Sequence, residues 1–329
     1  MKAIKILTMA ALATAVFASC SNEDELAQNN YPMDNVVRIM TSVDGMNTRA
    51  SYGNSTDKLS SFGFCINNAG NTKYTYDNIK VTKEGSNWNP ATQMFWQNST
   101  TAVDILAYAP YQETTEDANG KVKVFGKTDY AFSVKEDQSN AEDYLSDLIV
   151  YKQTGFKPES DLNTNQAVNV AFTHLLSQLN LTIELRDQFN QDEKKPVTSA
   201  TVTDVKVDGT FIRSKVNFAA DPISVQFDGM ASKAITPETV AFTKADKTTD
   251  HATFKYSAIV IPQWIRAGVF CISFKVNGND YIWTSTSDVN FVSGKKHDLH
   301  LLVGKDVVQG GAISAKPWGE ETITEKETD

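Results

Sequence analysis

VVRIMTSV, residues 36–43, alternates apolar and polar side chains along its whole length. Val37, Ile39, Thr41 and Val43 fall on one side of an extended chain, because successive side chains of a strand point to opposite faces. The pattern therefore predicts a β-strand with one buried face.

The same period of two recurs through the rest of the chain and predicts an all-β fold. Turn sequences such as DG at 208–209 and NGND at 277–280 separate the alternating segments at a spacing typical of β-sandwiches. Helical periodicity is confined to residues 140–149 and 175–179, which argues against an α/β enzyme fold. The further predicted strands are 59–66, 73–81, 102–108, 147–151, 179–185, 200–207, 211–218, 223–227, 254–261, 269–276, 280–285 and 298–303.

Length and composition predict two domains. The chain has 329 residues and a hydrophobic content of 41%, enough for two cores. A polar stretch with Gly, Pro and Ser at 152–166 is the best junction, because it has almost no apolar periodicity. We therefore predict one β-sandwich domain over residues 50–160 and a second over residues 161–329.

The first residues have the layout of a secretory signal peptide. Lys2 and Lys5 precede an apolar run at 6–18 that is too short to anchor the chain across a bilayer by itself. We therefore predict that residues 1–19 are a signal peptide.

Cys20 stands at the end of this apolar run. Ala18 and Ser19 before it resemble the lipobox of bacterial lipoproteins, whose cysteine is diacylated and becomes the new N-terminus. This resemblance predicts a lipid on Cys20 that holds the protein at the outer membrane. The alternative is an ordinary secretory signal with an incidental cysteine. The acidic residues at 21–25 fit either a tag for export to the outer surface or a solvated linker.

Charge and motif content exclude several function classes. The formal net charge of −9 is repelled by a nucleic-acid backbone, so no nucleic-acid partner is expected. No catalytic, phosphate-binding or metal-binding motif is present, so we predict neither an enzyme nor a cofactor. His297 and His300 are three apart in a predicted strand and so point to opposite faces, which argues against a shared metal ion.

Four other features are expected to serve packing. We expect His174 to fix an irregular turn by hydrogen bonds rather than to act in catalysis. Cys65 and Cys271 are more than 200 residues apart and are expected to be two separate buried thiols. The tryptophans are expected to pack in the core rather than to stack on sugars.

Several segments, taken together and in order, resemble the fimbrillin-like family of Gram-negative surface pilins, the type V pilins. The resemblance covers nearly the whole chain, although AYAPY stands where family members often show AYYPY. It implies export as a lipoprotein and two β-sandwich domains of transthyretin-like topology. The segments that carry it are the Cys20 lipobox, TRA at 48–50, FGF at 62–64, Trp88, Phe95 and Trp96, AYAPY at 107–111, DLIV at 147–150, FTHLLSQL at 172–179, and Trp318.

The resemblance also implies a mode of assembly. In the family a protease cleaves after an arginine, the leading strand leaves, and a strand of another subunit takes its place. Arg49 followed by Ala50 matches that cleavage position, which makes residues 20–49 a lipidated pro-segment. The released strand would carry Val37, Ile39 and Val43. Taken alone, Arg49 also fits an ordinary surface loop.

A C-terminal donor strand is implied by the same resemblance, and we place it in residues 306–323. Pro317 limits how it could insert, because proline has no amide hydrogen for a ladder. The alternative is a strand that completes the subunit's own C-terminal domain. If the segment is a donor, a chain truncated after Lys305 should keep its fold. Its sizeable apolar residues are Val307, Val308, Ile313, Trp318 and Ile323.

The sequence thus predicts a structural pilus subunit at the cell surface that mediates adhesion, with other pilin subunits as partners in a homo- or hetero-polymer. The alternative is a permanently lipidated adhesin that binds a host protein or a glycan and does not polymerise.

Overall fold

The structure is a computed structural model that describes residues 30–43, 57–113, 124–140, 143–191, 196–229, 232–311 and 313–318. The predicted all-β fold is confirmed, because nearly all regular structure in these ranges is strand. The strands are β1 (Arg38–Val43), β2 (Ser61–Asn67), β3 (Tyr76–Glu84), β4 (Asn87–Pro90), β5 (Val103–Ala109), β6 (Tyr130–Ser133), β7 (Ile149–Phe156), β8 (Ala167–His174), β9 (Ser177–Leu185), β10 (Val202–Asp208), β11 (Arg213–Asn217), β12 (Ser224–Phe227), β13 (Glu238–Thr243), β14 (Ala252–Val260), β15 (Gln263–Ile265), β16 (Cys271–Val276), β17 (Asn279–Thr284), β18 (Val289–Phe291), β19 (Lys295–Val303), β20 (Val308–Gly310) and β21 (Ser314–Pro317).

Helical structure within the described ranges is limited to single turns. α1 (Pro158–Asp161) is one α-helical turn, and 3-10 turns form at Thr72–Tyr74, Asp143–Ser146 and Asp187–Phe189. No helix in the described part of the chain is long and apolar enough to cross a membrane.

The first half of the chain builds a seven-stranded sheet in the order β1-β8-β7-β5-β2-β3-β4. β1 lies at one edge and pairs with β8 in parallel, whereas the other neighbours in this sheet pair antiparallel.

The remaining strands, which are β6 and the strands from β9 onward, form several smaller sheets. The largest has the order β13-β14-β9-β19-β20, and β21 also pairs with β19. Two three-stranded sheets have the orders β10-β16-β17 and β12-β11-β6, and β15 pairs with β18. The β16–β17 hairpin turns at Asn277 and Gly278, whose φ angles of 51° and 82° fit the two-residue turn that NGND predicts.

Two hydrophobic clusters lie on opposite faces of the seven-stranded sheet. Along β5 the side chains alternate between them: Ile105 and Ala107 belong to the first cluster, and Leu106 and Tyr108 belong to the second. The second cluster continues into the other sheets, where the Tyr108 ring lies 5.8 Å from that of Phe218. The sheet therefore contributes to both cores.

The predicted division at residue 160 falls inside α1, and the sheets cross it. β8 follows this point but belongs to the seven-stranded sheet, whereas β6 precedes it but pairs with β11. The domain boundary stays a prediction.

The two short helical candidates have different outcomes. Residues 140–149 contain the 3-10 helical turn at Asp143–Ser146 and end where β7 begins, whereas residues 177–179 begin β9, so the helical prediction for 175–179 was wrong. β9 lies between β14 and β19 and is buried on both faces at its start. A short apolar run of this kind cannot be distinguished from a buried helix by periodicity alone.

Candidate functional site

Three of the predicted site residues lie outside the described part of the chain. They are Cys20, Arg49 and Ala50, which fall in residues 1–29 and 44–56. The predicted released strand and most of the predicted donor segment are described, and they lie at the edges of two different sheets.

β1 has the buried face that its sequence predicts. Val37, Ile39 and Val43 are 2%, 7% and 6% exposed and belong to the first hydrophobic cluster. On the other face Met40 is 43% exposed. A strand with this pattern contributes apolar burial on one side only.

Hydrogen bonding holds β1 mainly to one neighbour. Its parallel register with β8 runs from Arg38 opposite Ala167 to Val43 opposite Phe172. Among the described residues β1 is the edge strand, and no second strand pairs with it along this length.

The residues just before β1 also bond to residues 94–96, which lie outside the named strands. The Val37 amide donates to the Met94 carbonyl at 3.0 Å, and the Trp96 amide donates to the Asn35 carbonyl at 2.8 Å. Val36 and Phe95 form an antiparallel bridge. The beginning of the strand is thus held from both sides, whereas its later part is held by β8.

A surface ion pair supports the start of β1. Arg38 lies 2.6 Å from Asp34, four residues earlier, and the two side chains are 41% and 51% exposed. The Arg38 guanidinium, followed by the Val36 amide, lowers the pKa of the Asp34 carboxyl. An exposed ion pair of this kind contributes little to stability. The buried apolar face of β1 therefore contributes more to holding the strand in place than this pair does.

Thr41 is the one inward position of β1 that is not apolar. Its side-chain oxygen is buried, and no described residue forms a hydrogen bond with it. A buried hydroxyl without a partner costs free energy of about 1–3 kcal/mol. Local sequence does not predict this, because the partners of a threonine hydroxyl depend on the tertiary structure.

The surface beneath β1 is an aromatic and aliphatic core. Phe62 and Phe172 meet edge to face at 5.3 Å, and Trp96 stacks on Phe156 at 5.6 Å. Phe172 is the register partner of Val43, and both side chains belong to the first hydrophobic cluster, so the end of β1 packs in this core. We call the surface that Val37, Ile39, Thr41 and Val43 cover the β1 groove.

The C-terminal segment lies on its own subunit. β20 pairs with β19 through Val308 opposite Val303, and β21 pairs with β19 through Pro317 opposite Lys295. This is the arrangement of the alternative stated above, a strand that completes the subunit's own sheet. Pro317 is at an edge, where a missing amide hydrogen is tolerated.

The apolar residues of this segment differ in burial. Trp318 is 5% exposed, whereas Val307 is 47% exposed. Val308 and Ile313 are partly buried against the second cluster, and Ile323 lies outside the described residues. Use of the segment as a donor strand stays a prediction.

Trp318 joins the segment to a buried histidine–carboxylate pair. Its ring stacks on that of His174 at 3.9 Å with an interplanar angle of 8°. The Nδ1 of His174 lies 2.9 Å from the Asp147 carboxylate, and the two side chains are 1% and 0% exposed. His174 ends β8 and Asp147 precedes β7, so this pair fixes the turn region at the end of the seven-stranded sheet, as predicted.

The histidines of β19 point to opposite faces, as predicted. His297 is buried, and its Nε2 accepts a hydrogen bond from the Val292 amide at 3.1 Å. The Nε2 of His300 instead lies 2.7 Å from Glu184 on the exposed face, where His251 contacts the same carboxylate. Among the described residues no group of three or more His, Cys, Asp or Glu side chains could hold a metal ion.

The thiol prediction is correct in part. Cys65 and Cys271 are both free, but only Cys65 is buried, because Cys271 begins β16 on a partly exposed face. Burial raises the pKa of both thiols, which makes them poor nucleophiles.

The tryptophans mostly pack in the core, as expected. Trp96, Trp283 and Trp318 are buried, and Trp88 packs against Phe62. Trp264 is the exception, since it is 52% exposed.

Comparisons with known proteins agree with this architecture. A family model described as fimbrillin-like matches residues 48–318. A search of curated proteins finds no match.

Three solved structures share the fold. A candidate cell adhesion protein from Bacteroides uniformis is 20% identical with a TM-score of 0.54, covering 87% of this chain and 99% of that chain. A candidate cell adhesion protein from Bacteroides ovatus is 13% identical with a TM-score of 0.58, and the match covers 85% of this chain and 97% of that chain. A fimbrial protein from Bacteroides vulgatus is 16% identical with a TM-score of 0.51, and the match covers 86% of this chain and 99% of that chain.

Proposed function

The chain belongs to the fimbrillin-like family, and from this membership we propose that it is a structural subunit of a cell-surface pilus that mediates adhesion. The fold it shares with fimbrial and candidate adhesion proteins supports the same role. Neither the family nor these structures are described as enzymes, and we propose no catalytic activity.

In this proposal the precursor is exported and lipidated on Cys20. The signal-like residues 1–19 and the small residues before Cys20 support this step. The lipid holds the precursor at the outer membrane until maturation.

Maturation is a cleavage after Arg49 that separates β1 from the rest of the chain. β1 ends at Val43, only a few residues before Arg49, so a cut there leaves the strand attached by non-covalent contacts alone. The observation that carries the proposal is that β1 supplies three buried apolar side chains and yet is an edge strand.

Loss of β1 would leave a groove that another strand can fill. Each of Val37, Ile39 and Val43 contributes about 1.5–3 kcal/mol when buried, so the uncovered surface is unfavourable in water. The exposed edge of β8 would also lack its ladder partner. A strand from a second subunit would restore both the cover over the apolar surface and the ladder partner of β8, by β-augmentation.

Residues 306–323 are the proposed donor toward a neighbouring subunit. Four of its five sizeable apolar residues, Val307, Val308, Ile313 and Trp318, support this assignment. To act as a donor, the segment must leave β19 and break the stacking of Trp318 on His174.

The second candidate function is a permanently lipidated adhesin that recognises a host protein or a glycan. The seven-stranded sheet with β1 in place favours it, because in this form β1 already covers the core and pairs with β8. The mature N-terminus distinguishes the two functions: Ala50 supports a pilus subunit, and acylated Cys20 supports the adhesin.

Substitution of Arg49 tests the proposal. Arg49→Ala should leave β1 attached and yield a lipidated monomer that folds without polymerising, as measured by surface shearing, detergent-resistant ladders and N-terminal sequencing. The matched control is Arg38→Lys, which removes the other arginine of residues 20–50 but keeps the charge beside Asp34. Undiminished fibres from Arg49→Ala would contradict the proposed maturation.

A further inference from the structure

We propose that the β1 groove takes a strand of a different protein, one that carries apolar side chains at four alternating positions. Residues 304–329 of this chain do not have that pattern. The inference rests on the proposed release of β1 and identifies the partner by its chemistry.

The groove has four positions, set by Val37, Ile39, Thr41 and Val43. Three of them hold apolar side chains that are at least 93% buried. An incoming strand must place a side chain at every second residue to reach all four, because strand side chains alternate between faces. Its outward residues are free to be polar, as Arg38 and Ser42 are here.

β1 itself is an imperfect occupant of the groove. The Thr41 hydroxyl is buried there, and no described residue forms a hydrogen bond with it. A valine has nearly the same shape and loses no hydrogen bond on burial. A strand with an apolar residue at this position should therefore bind more tightly than β1, which would favour replacement of β1.

The C-terminal segment fits the groove poorly in either direction. The best register places Val307 and Ile313 at the two ends, but Gln309 and Gly311 then occupy the middle positions. A buried glutamine needs partners that an apolar groove does not offer, and a glycine leaves a cavity.

Other registers are no better. A strand that starts at Ile313 places Ala315 and then Pro317 inward, and the even-numbered series contains Gly310 and Ser314. The same segment already has a place on β19, where Trp318 is buried against His174. These observations favour a groove that is filled by a different subunit and hence a hetero-polymeric junction.

Peptide binding to the full chain cut after Arg49 tests this inference. The fluorescent probes are a peptide of residues 34–43, the same peptide with Thr41→Val, a peptide of residues 305–318, and that peptide with Gln309→Ile and Gly311→Val. Anisotropy gives the affinities, and native electrophoresis shows whether β1 has been displaced.

We expect the Thr41→Val peptide to bind about tenfold more tightly than the natural 34–43 peptide, since one unsatisfied hydroxyl is worth about that factor. The natural 305–318 peptide should bind at least about tenfold more weakly than the 34–43 peptide, and its double variant should recover affinity. Equal binding of the natural 305–318 and 34–43 peptides would overturn the inference while leaving the proposed function intact. Failure of every peptide, including 34–43, would overturn the proposed function and this inference with it.

Discussion

Single side chains hold the edges of this fold in place. Trp318 is the clearest case, because its indole stacks on His174. The imidazole of His174 is in turn hydrogen-bonded to the buried Asp147 carboxylate. The three residues come from segments far apart in the chain and meet where the seven-stranded sheet ends. This buried ring therefore contributes to the stability of the C-terminal segment, together with its pairing to β19.

Trp318→Ala should destabilise the protein by about 3 kcal/mol, near the lower end of values for a buried tryptophan, because an edge strand can partly relax. Thermal or urea unfolding measures the loss, and hydrogen exchange should show faster exchange in β21. Trp318→Phe is the matched control, since it keeps a ring on His174. Equal stability of the wild type and Trp318→Ala would mean that the indole is not buried as described.

Glu184 lies between His251 and His300 on the exposed face of the sheet β13-β14-β9-β19-β20. The hydrogen bond from His300 is the main cause that lowers the pKa of Glu184 from 4.5 to about 2, and the same hydrogen bond raises the pKa of His300 above 6.5. A lowered carboxyl pKa stabilises the fold above pH 4.5 and this effect is lost as pH falls toward 2. A raised histidine pKa stabilises the fold below pH 6.5 and this effect is lost as pH rises through the higher value.

The stabilising window of this cluster is therefore between about pH 4.5 and 6.5. We expect Glu184→Gln to lower the melting temperature most near pH 5.5 and least at pH 2 and pH 9. The control is Glu159→Gln, which removes an exposed carboxylate of α1. A loss that is equal at all three pH values would mean that burial, rather than charge, is the role of Glu184.

Among the strands, β1 and the β20–β21 segment are both edge elements, but they differ in how they are held. β1 covers a core with three buried side chains and has one parallel ladder. β20 and β21 each form a short antiparallel ladder with β19, and Tyr281 donates a hydrogen bond to the Lys305 carbonyl at 3.0 Å. Both are positioned so that they could leave without breaking the centre of a sheet.

Truncation after Lys305 should lower the melting temperature of the monomer, which differs from the expectation drawn from the sequence. The structure places Trp318 in the core and pairs β21 with β19, so removal of the segment exposes an apolar surface and a sheet edge. Circular dichroism melts measure the change, and the Trp318→Ala variant separates the contribution of the ring from that of the ladder. An unchanged melting temperature would instead agree with the expectation from the sequence, in which a chain truncated after Lys305 keeps its fold.

Taken as one molecule, the protein is organised by a sheet with two buried faces. β5 alternates between the two hydrophobic clusters, with Ile105 in one and Leu106 in the other. Gly63 of the FGF motif permits this packing, because a side chain there would meet the Tyr108 ring at 2.3 Å. The two cores therefore share structural elements and are not independent.

We predict a single cooperative unfolding transition for this reason. Calorimetry should give equal calorimetric and van't Hoff enthalpies for the full chain. Leu106→Ala creates a cavity in the second cluster. It should lower the midpoint temperature of the single transition and reduce the free energy of unfolding by about 2–5 kcal/mol. Two separate transitions would instead support two domains that fold independently on either side of residue 160.

The strand class and most strand positions could be predicted from the sequence, because alternation is a local property. The strands of the described residues that were not predicted include short ones such as β4, β15 and β18, which carry too few residues to show a period. β8 was also missed, although Val168, Val170 and Phe172 alternate clearly. Its place beside β1 depends on a parallel pairing across more than 120 residues of chain, which no local pattern encodes.

By itself the sequence determined the all-β class, the inward face of β1, the opposed histidines of β19 and the turn at Asn277 and Gly278. All of these follow from the geometry of a few consecutive residues. Only the tertiary structure decided that β1 is an edge strand, that the Thr41 hydroxyl is buried, and that Trp318 stacks on His174. Those facts depend on which distant segments meet, and the physical reason is that burial and hydrogen-bond satisfaction are properties of the assembled core rather than of the local chain.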